Sequence, residues 1–134
     1  MMHNKVKLLR IGIVGCGAIG SSLAKIITAE FYEKAQLAGV YDIDLEKARK
    51  LADNFNNDKL TALNLDDLLS MSDLVIEASK ADSVFDITKK AISASKDIMI
   101  MSVGGIVNRY QELELLAENK GVRIYIPSGA ISGI

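Results

Sequence analysis

The stretch GIVGCGAIGSSLAKII, residues 12–27, constrains the fold more than any other part of the chain. Gly15, Gly17 and Gly20 form a Gly-x-Gly-x-x-Gly spacing between an apolar run, LLRIGIVG at 8–15, and a segment where Ile19, Leu23, Ile26 and Ile27 recur at helical spacing. The apolar run suits a strand buried on both faces, so the stretch reads as strand, tight turn and helix. Gly15 permits the turn, and Gly17 lets a pyrophosphate come close to the backbone. Gly20 lets the helix pack near the strand, while the helix N-terminus offers free amides to an anion. Three glycines alone arise by chance in many sequences, so the reading depends on what surrounds them.

What surrounds them alternates. QLAGVYD at 36–42 reads as a second strand, and Asp44 caps a helix carrying Leu45, Ala48, Leu51 and Ala52, with Phe55 near its end. LTAL at 60–63 suggests a short third strand and DDLL at 66–69 a helical turn. DLVIEAS at 73–79 is a further buried strand, after which Asp82 opens a helix through Val84, Ile87, Ala91 and Ile92. DIMIMSVGG at 97–105 reads as a strand ending in glycine, then YQELELLAENKG as a helix closed by Gly121, and VRIYIP as a last strand. Strands alternating with helices predict an α/β fold of Rossmann type, a doubly wound parallel sheet with helices on both faces, in a single domain over 1–134.

A dinucleotide site needs a second, independent element, an acid about 20 residues beyond the glycines at the end of the second strand. Asp42 stands 22 residues after Gly20, placed to accept hydrogen bonds from the adenosine ribose hydroxyls. Its charge repels the extra phosphate of NADP, so NAD is the expected cofactor. NADP stays an allowed alternative because Lys47 or Arg49 can reach round and offset that charge. Glycine turn, acid and alternating sheet together make a strong signal where each alone is weak.

Composition removes other classes of function. Sixteen Lys plus Arg against 17 Asp plus Glu leave a net charge of −1 with no basic block, and aromatic residues are only 5%, which argues against nucleic-acid binding. His3 is the only histidine and Cys16 the only cysteine, which excludes a zinc site built from those residues and any intrachain disulfide. Between two glycines, Cys16 reads as a small filler rather than a nucleophile, since nothing nearby supplies a base. Met99 and Met101 at period two read as core filler. Lys5, Lys7 and Arg10 precede an apolar stretch ending at Cys16, but that stretch is too short for a secretory signal. A cytoplasmic protein without membrane partners is expected.

Three strands end in small residues: EAS at 77–79, SVGG at 102–105 and PSGA at 127–130. Small residues there let a flat ring approach the backbone closely. Lys80, at the same edge, would meet a phosphate or a substrate carboxylate, with a solvated lysine as the competing reading. With GIVGCGAIG at the start, Asp42, Glu77-Ala78, SVGG and above all IPSGAISGI at the end, the chain resembles the aspartate dehydrogenases and their homoserine-dehydrogenase-like NAD-binding domain. The resemblance spans nearly the whole chain. Ser132 departs from the family's usual Ser-Gly-Ala-Ile-Gly-Gly, and Lys80 stands where a serine or threonine is common.

The resemblance implies an NAD(P)-linked oxidoreductase that interconverts L-aspartate and iminoaspartate in NAD biosynthesis. It implies a pyrophosphate held across Gly15, Cys16, Gly17, Ala18, Ile19 and Gly20. Further cofactor contacts fall at Ala78, Ser79, Lys80, Ser102, Val103 and Gly104, and at Ser128, Gly129 and Ala130 on the nicotinamide side. No catalytic residue and no metal ligand is assigned. A catalytic domain is expected after Ile134, where the family carries its substrate-binding half and a histidine near the reacting carbon. The 134-residue chain alone is therefore expected to be inactive and, around Ile131 and Ile134, prone to associate. The full-length protein is expected to be a homo-oligomer acting on a small-molecule substrate. Two alternatives stand beside this reading: a homoserine dehydrogenase or dihydrodipicolinate reductase with the same first domain, and a non-enzymatic NAD-sensing module.

Overall fold

A computed structural model describes residues 7–127. Five parallel strands, β1 (Leu9–Val14), β2 (Ala35–Tyr41), β3 (Leu74–Glu77), β4 (Asp97–Ile100) and β5 (Ile124–Tyr125), form one sheet in the order β2-β1-β3-β4-β5. From β1 the chain moves outward to β2, then crosses back over β1 to β3. The strand order therefore reverses between β1 and β3, and a crevice opens beyond their C-terminal ends at such a reversal.

Five helices fill the connections: α1 (Ala18–Glu30), α2 (Leu45–Asp53), α3 (Leu65–Met71), α4 (Val84–Ser93) and α5 (Tyr110–Lys120). Alternate residues of each strand feed two cores. Ile11 and Ile13 of β1 and Leu74 and Ile76 of β3 face Ala24 and Ile27 of α1 and Ala48, Leu51 and Ala52 of α2. Val14, Val75, Ile98 and Ile100 face Leu68 and Leu69 of α3, Ile87, Ala91 and Ile92 of α4, and Leu113 and Ala117 of α5. The doubly wound sheet with helices on both faces is thus as expected. α3 lies on a glycine floor: Gly12 and Gly39 are partners across β1 and β2, a Cβ on Gly12 would overlap the Ser72 hydroxyl, and one on Gly39 would crowd Leu68 and Met71.

Local chemistry sets the element ends. The Asp44 carboxylate accepts the Glu46 amide at 3.1 Å to cap α2, and Asn64 does the same for Asp67 at 2.8 Å at the start of α3. Gly121, at φ 68°, closes α5 in the left-handed conformation that glycine adopts without strain. At the lower rim of the sheet Arg10 pairs with Asp73 at 2.9 Å, which joins β1 to the start of β3.

Four expectations need correction. Residues 60–63 do not form a strand: Asp58–Leu60 is a 3-10 turn, and only Thr61 bridges to Val40 of β2. The last strand, read over 122–127, is only Ile124–Tyr125, whereas the DDLL turn is helical as read, within Leu65–Met71. β4 ends at Ile100, because Ser102 leaves the extended region and Val103–Gly105 coils into a 3-10 turn. α4 begins at Val84 after Ser83, with no side-chain cap, rather than at Asp82. The inner face of α1 is also narrower than its isoleucines suggest. Gly20, Ala24 and Ile27 are buried, Leu23 is half-buried, and Ile19 and Ile26 remain 57% and 40% exposed. Close packing of α1 on the sheet uses its small residues and turns those two isoleucines outward.

Candidate functional site

The site is built on the loops that leave β1, β2, β3 and β4 at one end of the sheet. Gly15 follows β1 at φ 103°, and a Cβ there would overlap the Ala78 carbonyl oxygen just beyond β3. The Ala78 amide donates to the Val14 carbonyl at 2.7 Å, so the two loops touch where the strand order reverses. A Cβ on Gly20 would overlap the Gly15 carbonyl, which explains how the first turn of α1 lies so close beneath the loop. At Gly17 the situation is opposite: no atom comes within 4 Å of a Cβ placed there. The three glycines of the motif therefore serve a turn, an open approach and a close helix contact.

That open approach leads to free donors. Gly17 precedes α1 without a side-chain cap, and the first helical bond runs from the Ser21 amide to the Gly17 carbonyl at 2.9 Å. The amides of Ala18, Ile19 and Gly20 therefore have no acceptor within the helix. Gly17, Ala18 and Ile19 are exposed, and the first turn carries no acidic residue to repel an anion. A pyrophosphate fits this arrangement in charge and in space.

Asp42 sits just after β2, half-buried beside the same turn. Its Oδ2 accepts the Cys16 amide at 2.8 Å and its Oδ1 the Asp44 amide at 2.8 Å. Two of the roughly four acceptor positions of a carboxylate remain for ribose hydroxyls. The Cys16 amide, by contrast, is spent on Asp42 and does not join the anion-binding set. Burial, reinforced by the Asp42 charge and only partly opposed by Lys47, pushes the Cys16 thiol up to about 12. A thiol so held is no nucleophile, as the sequence reading expected. Arg49 is paired with Glu46 at 2.9 Å.

Across the reversal point a different device organises the loops after β3 and β4. Glu77, fully buried, accepts four hydrogen bonds: the Ser79 amide at 2.9 Å and hydroxyl at 2.7 Å on Oε2, and the Met101 amide at 3.1 Å and Ser102 amide at 2.9 Å on Oε1. The Ser102 hydroxyl donates to the Ser79 carbonyl at 3.2 Å. Both serine protons are thus committed inside the protein. Ala78, Ser79 and Ser102 are half-buried at the loop surface, and Lys80 is exposed without an ion pair among the described residues. The Val103 side chain is buried in the core, leaving only its backbone for a ligand. Gly104 is exposed with open space around it, whereas a Cβ on Gly105 would collide with Ala81 and Val84. Glu77 escaped the list of site residues drawn from sequence, yet an acid inside the apolar run DLVIEAS signals a carboxylate that must find partners.

His3, Ser128, Gly129, Ala130, Ile131, Ser132 and Ile134 lie outside the described residues. Among the described residues no group of three His, Cys, Asp or Glu side chains gathers as metal ligands. None of the helices there is long and apolar enough to cross a membrane. A groove of about 720 Å³ runs between α3 and α4 and is lined by Asp66, Leu69, Asp86, Lys89 and Lys90 among others. Its charges cancel, whereas the strand-end loops combine the glycine turn, the α1 amides and Asp42, so they are the better candidate site.

A parallel sheet, a glycine turn open toward free helix amides and an acid beyond the second strand define a dinucleotide-binding domain of the Rossmann class. Residues 15–127 match the family model described as homoserine dehydrogenase, NAD binding domain, and the chain belongs to that family of NAD-binding domains. Among curated proteins, the L-aspartate dehydrogenase of Methanococcus maripaludis (strain C6) is 42% identical over 130 residues, covering 95% of this chain and 48% of its own length. The L-aspartate dehydrogenase of Methanocaldococcus jannaschii is 39% identical with the same coverage of each chain, 95% and 48%. The chain thus spans about half the length of the curated relatives it matches. In fold it is similar to GenD2 from gentamicin A biosynthesis in complex with NAD, with a TM-score of 0.75 and 24% identity over 92% of this chain and 35% of that one. The homoserine dehydrogenase of Thiobacillus denitrificans gives a TM-score of 0.76 at 18% identity, over 90% of this chain and 29% of that one.

Proposed function

We propose that this chain is the cofactor-binding half of an NAD-linked L-aspartate dehydrogenase. The observation that carries the proposal is the set of amides of Ala18, Ile19 and Gly20 left without a helical acceptor at the start of α1, next to the open space at Gly17 and to Asp42. When bound, NAD supplies a nicotinamide ring that takes up or returns a hydride. The α1 amides hold the pyrophosphate, and the free acceptor positions of Asp42 hold the adenosine ribose and disfavour a 2′-phosphate. Ala78, Ser79, Ser102 and Gly104 present backbone to the far end of the dinucleotide. Their hydroxyl protons and amides being spent inside the protein, the two serines orient a ligand through shape.

L-Aspartate as substrate is supported by relatives of that name at 33–42% identity over 95% of the chain. Substrate-holding and proton-moving groups come, in this proposal, from a second half such as those relatives carry. The proposal includes a cytoplasmic homo-oligomer for the full-length protein. A direct test joins this chain to the second half of the Methanococcus maripaludis relative. NADH formation from L-aspartate at alkaline pH, and NADH consumption with oxaloacetate and ammonia, are expected from the chimaera but not from the 134-residue chain. A chimaera that folds and binds NADH yet ignores aspartate while oxidising homoserine overturns the substrate assignment. Turnover by the chain alone overturns the half-enzyme reading.

A further inference from the structure

We propose that Glu77 is a positioning residue for the nicotinamide half of the cofactor, an inference that rests on the NAD-binding reading above. A fully buried carboxylate is costly unless its oxygens are satisfied, and Glu77 meets four donors that use all its acceptor positions. The placement of those donors carries the argument. Two belong to Ser79 in the loop after β3; the other two are the amides of Met101 and Ser102 in the loop after β4. The last ladder bond between β3 and β4 runs from the Met101 amide to the Glu77 carbonyl at 3.0 Å; the carboxylate shares that amide and carries the link on to Ser102. The Ser102 hydroxyl on the Ser79 carbonyl closes the ring of contacts.

This knot lies across the strand-order reversal from the glycine turn. With the adenosine end at Asp42 and the pyrophosphate at α1, the remaining half of an extended dinucleotide runs over the loops that Glu77 ties. Glu77 touches no cofactor atom in this account. It fixes the spacing between two backbone segments that do, including the approach to the open surface at Gly104. Glutamine in its place has nearly the same shape but sets an NH2 group against N–H donors, so one loop must move away.

The test separates the two ends of the ligand. Affinities for NADH and for ADP-ribose, which lacks the nicotinamide, are measured on the full chain and on Glu77→Gln. NADH binding is expected to weaken about tenfold or more, while ADP-ribose binding changes less than about twofold. Loss of both affinities in parallel shows a merely structural role and overturns the proposal, as does unchanged NADH affinity in the folded variant. Should Glu77→Gln fail to fold, Ser79→Ala removes one donor and leaves the sheet intact. A smaller shift of the ratio in the same direction is expected there, and an unshifted ratio overturns the proposal. A wild-type chain that binds both ligands equally well overturns it too. A wild-type chain that binds neither contradicts the NAD-binding reading itself.

Discussion

Asp42 beyond β2 and Glu77 at the end of β3 both accept backbone amides from neighbouring loops, but Asp42 is half-buried with two donors whereas Glu77 is fully buried with four. The difference separates two ways of building a ligand site. Asp42 steadies the glycine turn through Cys16 and keeps acceptor capacity for a ligand. Glu77 has none left and serves only to hold other groups in place. One end of the site is chemically open and the other is geometrically fixed.

The sharpest way to break this contrast uses two glycines of the open end. Gly17→Val should weaken NADH binding at least about a hundredfold while the melting temperature hardly moves, because its side chain enters space that only the pyrophosphate needs. Gly15→Ala should instead cost about 3 kcal/mol or more of stability, since it combines a positive φ with a collision against the Ala78 backbone. Calorimetry and cofactor titration on both variants check the pair. Equal behaviour of the two would mean that the turn has been misread.

Asp42→Ala is expected to weaken NAD binding about tenfold and to bring the NAD and NADP affinities close together. A wild type that already binds both equally removes Asp42 from the ribose site. The effect at Cys16 is smaller for binding but distinct in pH. With burial holding the thiol up to about 12, alkylation by iodoacetamide should still climb about tenfold per pH unit between roughly 8 and 10, instead of levelling near the ordinary thiol value. A plateau near pH 9 contradicts the buried environment.

The smallest change is expected at the other rim of the sheet. The Arg10 guanidinium holds the Asp73 carboxyl below the usual carboxylate range through its hydrogen bonds. That pair stabilises the fold above the unfolded carboxyl value, and its contribution is lost as pH falls through the depressed folded value. Arg10→Ala should lower the melting temperature only slightly at neutral pH, because the pair is partly exposed, and should leave NADH affinity unchanged.

The glycine turn, the acid after β2 and the alternation of elements were legible because each rests on a local rule: glycine at positive φ, an amide-rich helix start, apolar period. Residues 60–63 misled because a run as short as LTAL fits a strand as well as a turn, and only its single bridge to Val40 decides. The outward turn of Ile19 and Ile26 was hidden for a related reason. Helical spacing marks an apolar face, but Gly20 and Ala24 allow a closer approach to the sheet and claim the inner position. Glu77 was read as part of a family pattern and not as a knot, since its four donors lie up to 25 residues away and meet only when β3 and β4 pair.

The central claim is that the loop between β1 and α1 is where the dinucleotide docks. Backbone amide NMR of the 15N-labelled chain titrated with NAD reads this directly, residue by residue. The largest shifts are expected at Gly17, Ala18, Ile19 and Gly20, with smaller ones at Ser79, Ser102 and Gly104. Shifts centred instead on Asp66, Lys89 and Lys90 in the groove between α3 and α4, with Gly17 to Gly20 unmoved, would contradict it.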